Sequence, residues 1–141
     1  GPQYVVLVCG RLVDPSFRHL ENLSAPGFLY AGFVDDIDMY FRGADVFINP
    51  VASGGGVKVK AMEALSYGLP VVSYVSGASG IDTQLAGTML QVVPDHDAAA
   101  MAKALEQING SETIPETFIR HYHWERITGE VAARIRQLDR E

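Results

Sequence analysis

The stretch Val46–Ser73, VFINPVASGGGVKVKAMEALSYGLPVVS, decides the fold. It opens on a short apolar run closed by Pro50, the pattern of a buried strand whose ladder a proline cannot continue. After Val51, Ala52 and Ser53 come three glycines, Gly54, Gly55 and Gly56. From Val57 to Tyr67 the residues are mostly good helix formers, Gly68 supplies the stop, Pro70 resets the chain, and the β-branched run Val71–Val75 predicts the next strand. Two buried strands joined by a helix are parallel, because only a crossover returns the chain to the same sheet edge in the same direction.

Working outward, the alternation persists on both sides. Tyr4–Cys9 is a continuous apolar run ended by Gly10 and predicts an interior strand, with Cys9 as a core thiol. Ser16–Leu23 predicts a short helix and Gly27–Phe33, GFLYAGF, another strand. Asp35 or Asp36 is placed to cap a helix over Ile37–Arg42 that stops at Gly43. Downstream, SGASGID (76–82) reads as a loop and Thr88–Val93 as a strand. Asp95 or Asp97 is the expected cap of a helix over Ala98–Ile108. Apolar residues Ile127, Val131, Ala132, Ile135 and Leu138 recur at helical spacing, so the tail predicts an amphipathic outer helix with Trp124 as its packing anchor.

The fold class is therefore α/β, a Rossmann-like doubly wound parallel sheet with helices on both faces. With 141 residues and no internal linker, residues 1–141 read as one domain, residues 115–141 as helices packing on its outside, and 109–115 as the one plausible joint.

The glycine-opened helix also carries the chemistry. Glycines at a helix start leave backbone amides accessible, and the unpaired N–H groups there attract anions, by about 0.3–1 kcal/mol each at the surface. Gly56, Lys60, Glu63 and Tyr67 are spaced by four, three and four positions, which stacks them on one helix face. A cation near a phosphate and a carboxylate one turn deeper suit a nucleoside diphosphate lying along the helix, the carboxylate accepting from ribose hydroxyls. The same spacing equally suits an ordinary surface ion pair beside a chain turn. Neither a P-loop nor a G-x-G-x-x-G fingerprint is present.

Gly32–Ser73, GFVDDIDMYFRGADVFINPVASGGGVKVKAMEALSYGLPVVS, resembles the donor half of retaining, family-four-type (group 1) GT-B glycosyltransferases, and the likeness runs from about Tyr4 to Ile108. The resemblance implies that Gly54, Gly55, Gly56 and Val57 hold the donor diphosphate and sugar. It also implies that Glu63 in EALSYGLPVV binds the ribose, that Lys60 matches the family lysine three residues before it, and that Gly32 and Phe33 flank the nucleobase. Lys60 and Glu63 are thus the candidate catalytic residues. The donor is a UDP- or GDP-sugar, with no cofactor and no catalytic metal required.

Two departures from the family pattern bear on this expectation. Gly55 stands where many members carry a further glutamate against the donor hexose. Gly10-Arg11 resembles the family's opening turn but lacks the lysine that follows it, and the run from Val6 resembles the second and third strands. The first strand-helix unit is therefore expected to be missing. The acceptor-binding domain of the same polypeptide is also expected to lie outside this sequence, leaving the chain inactive alone.

Composition bounds the alternatives. The net charge of −6 with interspersed signs offers no broad basic surface for nucleic acid. No apolar stretch approaches the roughly 20 residues of a membrane span, so the expectation is a soluble, cytoplasmic chain with membrane association only through a missing part. A single cysteine allows no internal disulfide. His121 and His123 lie two apart and diverge on a helix, so no metal site is expected. Asp35, Asp36 and Asp38 suit a helix start better than a metal. Ser76, Ser79 and Gly80 lie where a donor could be touched, or form a plain turn. Two other classes remain open: a nucleotide-sugar epimerase of GT-B architecture, and a non-catalytic flavodoxin-like binding or signalling module. The second lacks its aspartate, since FINP ends in Asn49 and Pro50.

Overall fold

The computed structural model of the chain describes residues 4–11, 15–22, 25–54 and 56–138. They form two compact units, Gly1–Tyr40 and Phe41–Glu141.

In the first unit, strands β1 (Val6–Cys9) and β2 (Phe28–Gly32) pair in parallel, with a 3-10 helix, Pro15–Asn22, between them in sequence. β1 is less buried than its apolar run predicts: Val6 and Leu7 are exposed, and Cys9 is only half-buried. Among the described residues β1 has a single strand neighbour. The partial burial of Cys9 pushes its thiol pKa upward. Helix α1 (Ile37–Gly43) starts at Asp36, whose carboxylate accepts from the Met39 amide at 3.3 Å.

The second unit holds a three-stranded parallel sheet, ordered β3 (Phe47–Asn49), β4 (Val71–Tyr74), β5 (Leu90–Val93). The register pairs Asn49 with Ser73 and Ser73 with Val92. β4 is central and buried along its whole length, which is why VVSY carries no outward polar alternation. Helix α2 (Val59–Ser66) connects β3 to β4 and turns Ala61, Ala64 and Leu65 fully inward. It ends in a Schellman motif: the Gly68 amide donates to Leu65 O at 2.9 Å, the Leu69 amide to Ala64 O at 3.0 Å, and Gly68 takes φ +77°.

Between β4 and β5 the loop expected over 76–82 holds a 3-10 turn at Ser76–Ala78 and ends at Asp82, which caps helix α3 (Thr83–Ala86). A second 3-10 turn, Gly87–Met89, takes the first two residues of the strand expected from Thr88, so that β5 starts at Leu90. Helix α4 (Ala98–Glu106) is capped by Asp97, which accepts from the Ala100 amide at 2.8 Å. Val72, Tyr74, Val93, Met101 and Ala104 form the core beneath it.

Two helices end the chain, α5 (Glu116–Tyr122) and α6 (Trp124–Leu138). α5 inserts Phe118, 3% exposed, whose ring lies 4.7 Å from that of Tyr122. α6 buries none of its residues. Trp124, expected as the packing anchor of the last helix, is 74% exposed, and the buried aromatic of the tail is Phe118 on α5.

Candidate functional site

Parallel α/β sheets place their loops for ligands beyond the C-terminal strand ends. In the second unit three loops leave that edge, 50–58 after β3, 75–82 after β4 and 94–97 after β5, and the first two carry the residues singled out in the sequence. Gly54 and Gly56 take φ of +93° and +81°, a region in which a side chain is strained, so glycine is required for this path. Gly55 lies outside the described residues.

The helix starts two residues later than the sequence pattern suggests. Val57 and Lys58 precede α2, and Lys58 is extended at the N-cap (φ −84°, ψ 90°) without a side-chain cap. Its ammonium turns back over the glycine loop, donating to Gly54 O at 3.0 Å and to Ser53 O at 3.4 Å. Sequence reasoning missed this role for Lys58, because spacing along a helix says nothing of a residue just ahead of it. Among the described residues the Ala61 amide donates to Lys58 O at 3.1 Å, the Val59 and Lys60 amides ahead of it have no intrahelical acceptor, and Lys58 makes no side-chain cap, which leaves this helix start electropositive.

Lys60 and Glu63 share a face of α2: the Lys60 ammonium donates to Glu63 Oε2 at 2.9 Å. Their side chains are 65% and 29% exposed, so the pair itself contributes little to stability. Tyr67, the last residue of the expected face, caps the helix and stacks on Phe41, with centroids 5.1 Å apart and planes at 6°. The Arg42 guanidinium sits 5.3 Å from the Tyr67 ring centroid. Tyr67 therefore belongs to the packing around Phe41 rather than to an open surface.

The 75–82 loop is fixed from two strands. Ser76 donates to Asp95 through its amide at 3.0 Å and its hydroxyl at 2.6 Å. Those bonds, from the hydroxyl first and then the amide, hold the Asp95 carboxyl below its usual pKa, and the neighbouring His96 adds to the effect. Asp95 is thus a loop anchor, and the α4 cap falls to Asp97 alone.

In the first unit the C-terminal strand edge carries Gly32 and Phe33. Gly32 takes φ +67° and its carbonyl accepts from the Gly10 amide at 2.7 Å. Phe33 is 61% exposed, with the Arg11 guanidinium 4.6 Å from its ring centroid. That cation-π contact was not foreseen in the sequence.

A cleft of about 410 Å3 in the second unit is lined by Ala44, Asp45, Leu69, Pro70, Ile108 and Glu112 among others. It opens at the N-terminal ends of β3 and β4, the end away from the loops above, and so is a poor match to a ligand site of this architecture. Among the described residues no three His, Cys, Asp or Glu side chains gather as a metal set. No helix among them is long and apolar enough to cross a membrane.

No curated protein matches the chain. Among solved structures it is similar to HepE of Anabaena, determined in complex with UDP, with a TM-score of 0.73 and 14% identity. The alignment covers 97% of this chain and 42% of HepE, so the chain spans less than half the length of that relative. At that identity the likeness establishes the fold, a parallel α/β fold of the Rossmann-like type. A family model described as glycosyl transferases, group 1, matches residues 3–110, more than three quarters of the sequence. The chain belongs to the group 1 glycosyl transferases.

Proposed function

We propose that this chain is the donor-binding part of a longer, retaining glycosyltransferase that takes a UDP- or GDP-sugar. The observation that carries the proposal is the uncapped start of α2, directly after Gly54 and Gly56 at positive φ, with Lys60 and Glu63 on one face of the same helix. Family membership and a fold shared with a UDP-bound protein support the same reading.

In this reading the donor diphosphate rests on the amides of Gly54 to Val57 and of the first helical turn. Lys60 swings from Glu63 toward the phosphates, and Glu63 accepts from the ribose hydroxyls. As the glycosidic bond breaks, negative charge builds on the departing diphosphate, and fixed amides and an ammonium stabilise it without reorganising. Gly32 and Phe33 are proposed separately, from the motif alone, as contacts of the nucleobase. The acceptor side of the reaction is assigned to a domain beyond this sequence, and the chain alone is expected not to transfer sugar.

Titration calorimetry of UDP and GDP against the full polypeptide tests the assignment. Hydrogen bonds to charged groups are worth about 1.5–3 kcal/mol, so Glu63→Ala and Lys60→Ala should each weaken the preferred nucleotide by roughly tenfold or more. Because the ion pair is exposed, the same substitutions should change stability by less than about 1 kcal/mol. Unchanged nucleotide affinity in both variants would show that the pair is only a surface contact.

A further inference from the structure

Beneath the two loops lies a buried polar cluster that strand formation does not require. Asn49, at the end of β3, is 6% exposed, and Ser73, its register partner on β4, is fully buried. The Asn49 amide donates to Gly77 O at 2.8 Å and to Ser73 Oγ at 3.2 Å. Ser73 Oγ in turn lies 2.9 Å from Tyr74 O. A buried amide costs stability unless its bonds are made, and an apolar residue would close this strand end without that cost. What the amide supplies is a fixed position for the Gly77 carbonyl.

The fixing continues toward the glycine loop. A Cβ at Gly77 would fall 2.6 Å from Ser73 Oγ and 2.8 Å from Asn49 Nδ2, so the backbone is pressed onto the cluster. Three residues on, Gly80 takes φ +81°, and a Cβ there would fall 2.7 Å from Val57 Cγ2 and 3.2 Å from Val57 Cα. The turn between is short and internally bonded, with the Ile81 amide donating to Ala78 O at 3.1 Å. Val57 is the residue before the N-cap of α2. An unbroken set of contacts therefore runs from the Asn49 amide through Gly77 and Gly80 to Val57 and the start of that helix.

We infer that Asn49 is a positioning residue, which sets the placement of the α2 start against a nucleoside diphosphate by holding the 76–80 turn as a wall behind Val57. The inference rests on the donor-site reading above. Asn49→Asp keeps the side-chain shape and removes both donated bonds, setting a carboxylate against the Gly77 carbonyl. Gly80→Ala leaves Asn49 intact and displaces Val57 from the other end. Met101→Ala truncates the core under α4, away from both loops, and serves as a stability control.

UDP affinity and melting temperature are measured for each variant and for Glu63→Ala in the full polypeptide. Loss of one hydrogen bond to a charged group corresponds to about tenfold or more in affinity, so Asn49→Asp and Gly80→Ala, by shifting the α2 start, should each weaken UDP by about that factor. Met101→Ala should lower the melting temperature at least as far and leave UDP affinity unchanged. If Glu63→Ala loses affinity while both positioning variants bind like the unsubstituted protein, the inference alone fails. Equal losses in Met101→Ala and Asn49→Asp also overturn it, since global stability then explains the effect. If Glu63→Ala binds UDP normally, the donor-site reading falls and takes this inference with it. Should Asn49→Asp not fold, Gly80→Ala decides, and unchanged affinity there is a refutation.

Discussion

At the scale of single residues, this protein separates two reasons for a glycine. Gly77 has no unusual φ, but a Cβ would meet two side chains and the Asn49 carbonyl within 3.1 Å. Gly68 has open space around its Cβ position, yet takes φ +77° at the end of α2. Gly77→Ala should therefore cost about 1–3 kcal/mol by overpacking and Gly68→Ala about 1 kcal/mol by backbone strain, both read from denaturant unfolding. Only the second was legible in sequence, since Gly68 sits where an apolar helical pattern stops, whereas the crowding at Gly77 needs Asn49, on a strand distant in the chain, to be brought beside Ser73. The aspartates divide similarly. Asp95 and Asp97 were equal candidates to cap α4, and the structure gives the cap to Asp97 and the loop anchor to Asp95. A carboxyl held low in the folded state stabilises it above the ordinary value of 3.8 and loses that contribution as pH falls through the folded pKa. Asp95→Asn should accordingly lower stability near neutrality and flatten its decline below about pH 4, measured as melting temperature against pH.

At the scale of elements, the strands and long helices follow from apolar runs and their stops, and the boundaries follow from contacts that runs do not encode. Val57 and Lys58 have helix-compatible side chains, but Gly56 at φ +81° and the Lys58 bonds to the glycine loop hold them outside α2. The Lys60–Glu63 juxtaposition needed only the helical period, while the Lys58 strap and the Arg11–Phe33 contact needed the folded loops. The last two helices show the limit of periodicity, which identifies an apolar stripe without saying whether anything covers it. On α6, Val131, Ile135 and Leu138 are 53%, 55% and 66% exposed, whereas Phe118 on α5 is buried. Ile135→Lys should then shift stability by no more than about 0.5 kcal/mol, and Phe118→Ala should remove about 3–5 kcal/mol. Thermal unfolding of the two variants side by side checks the contrast, and a large loss from Ile135→Lys would mean that α6 is covered in solution.

At the scale of the whole molecule, the two units differ in kind. Every buried apolar residue among those described, from Phe41 to Phe118, lies in the second unit. The first unit contributes a two-stranded sheet whose β1 faces are partly open, and an isolated pair of strands is marginal in water. The alternation of strands and helices in the sequence could not reveal this asymmetry, since Tyr4–Cys9 is as apolar as Val71–Val75, and burial depends on neighbours rather than on the run itself. Chains below about 40 residues seldom fold without a disulfide, metal or partner, and the one cysteine offers no disulfide. A chain running from Asp35 to Glu141 keeps the α1 cap, the three-stranded sheet and the core under α4. That chain should unfold cooperatively on heating, whereas a peptide of residues 1–40 should show no cooperative transition by circular dichroism and little dispersion of its amide proton resonances. A folded 1–40 peptide would mean that the first unit has an independent core. An unfolded 35–141 chain would mean that the second unit's core does not suffice without the first, and the loops proposed to bind the donor would then need the whole chain for their shape.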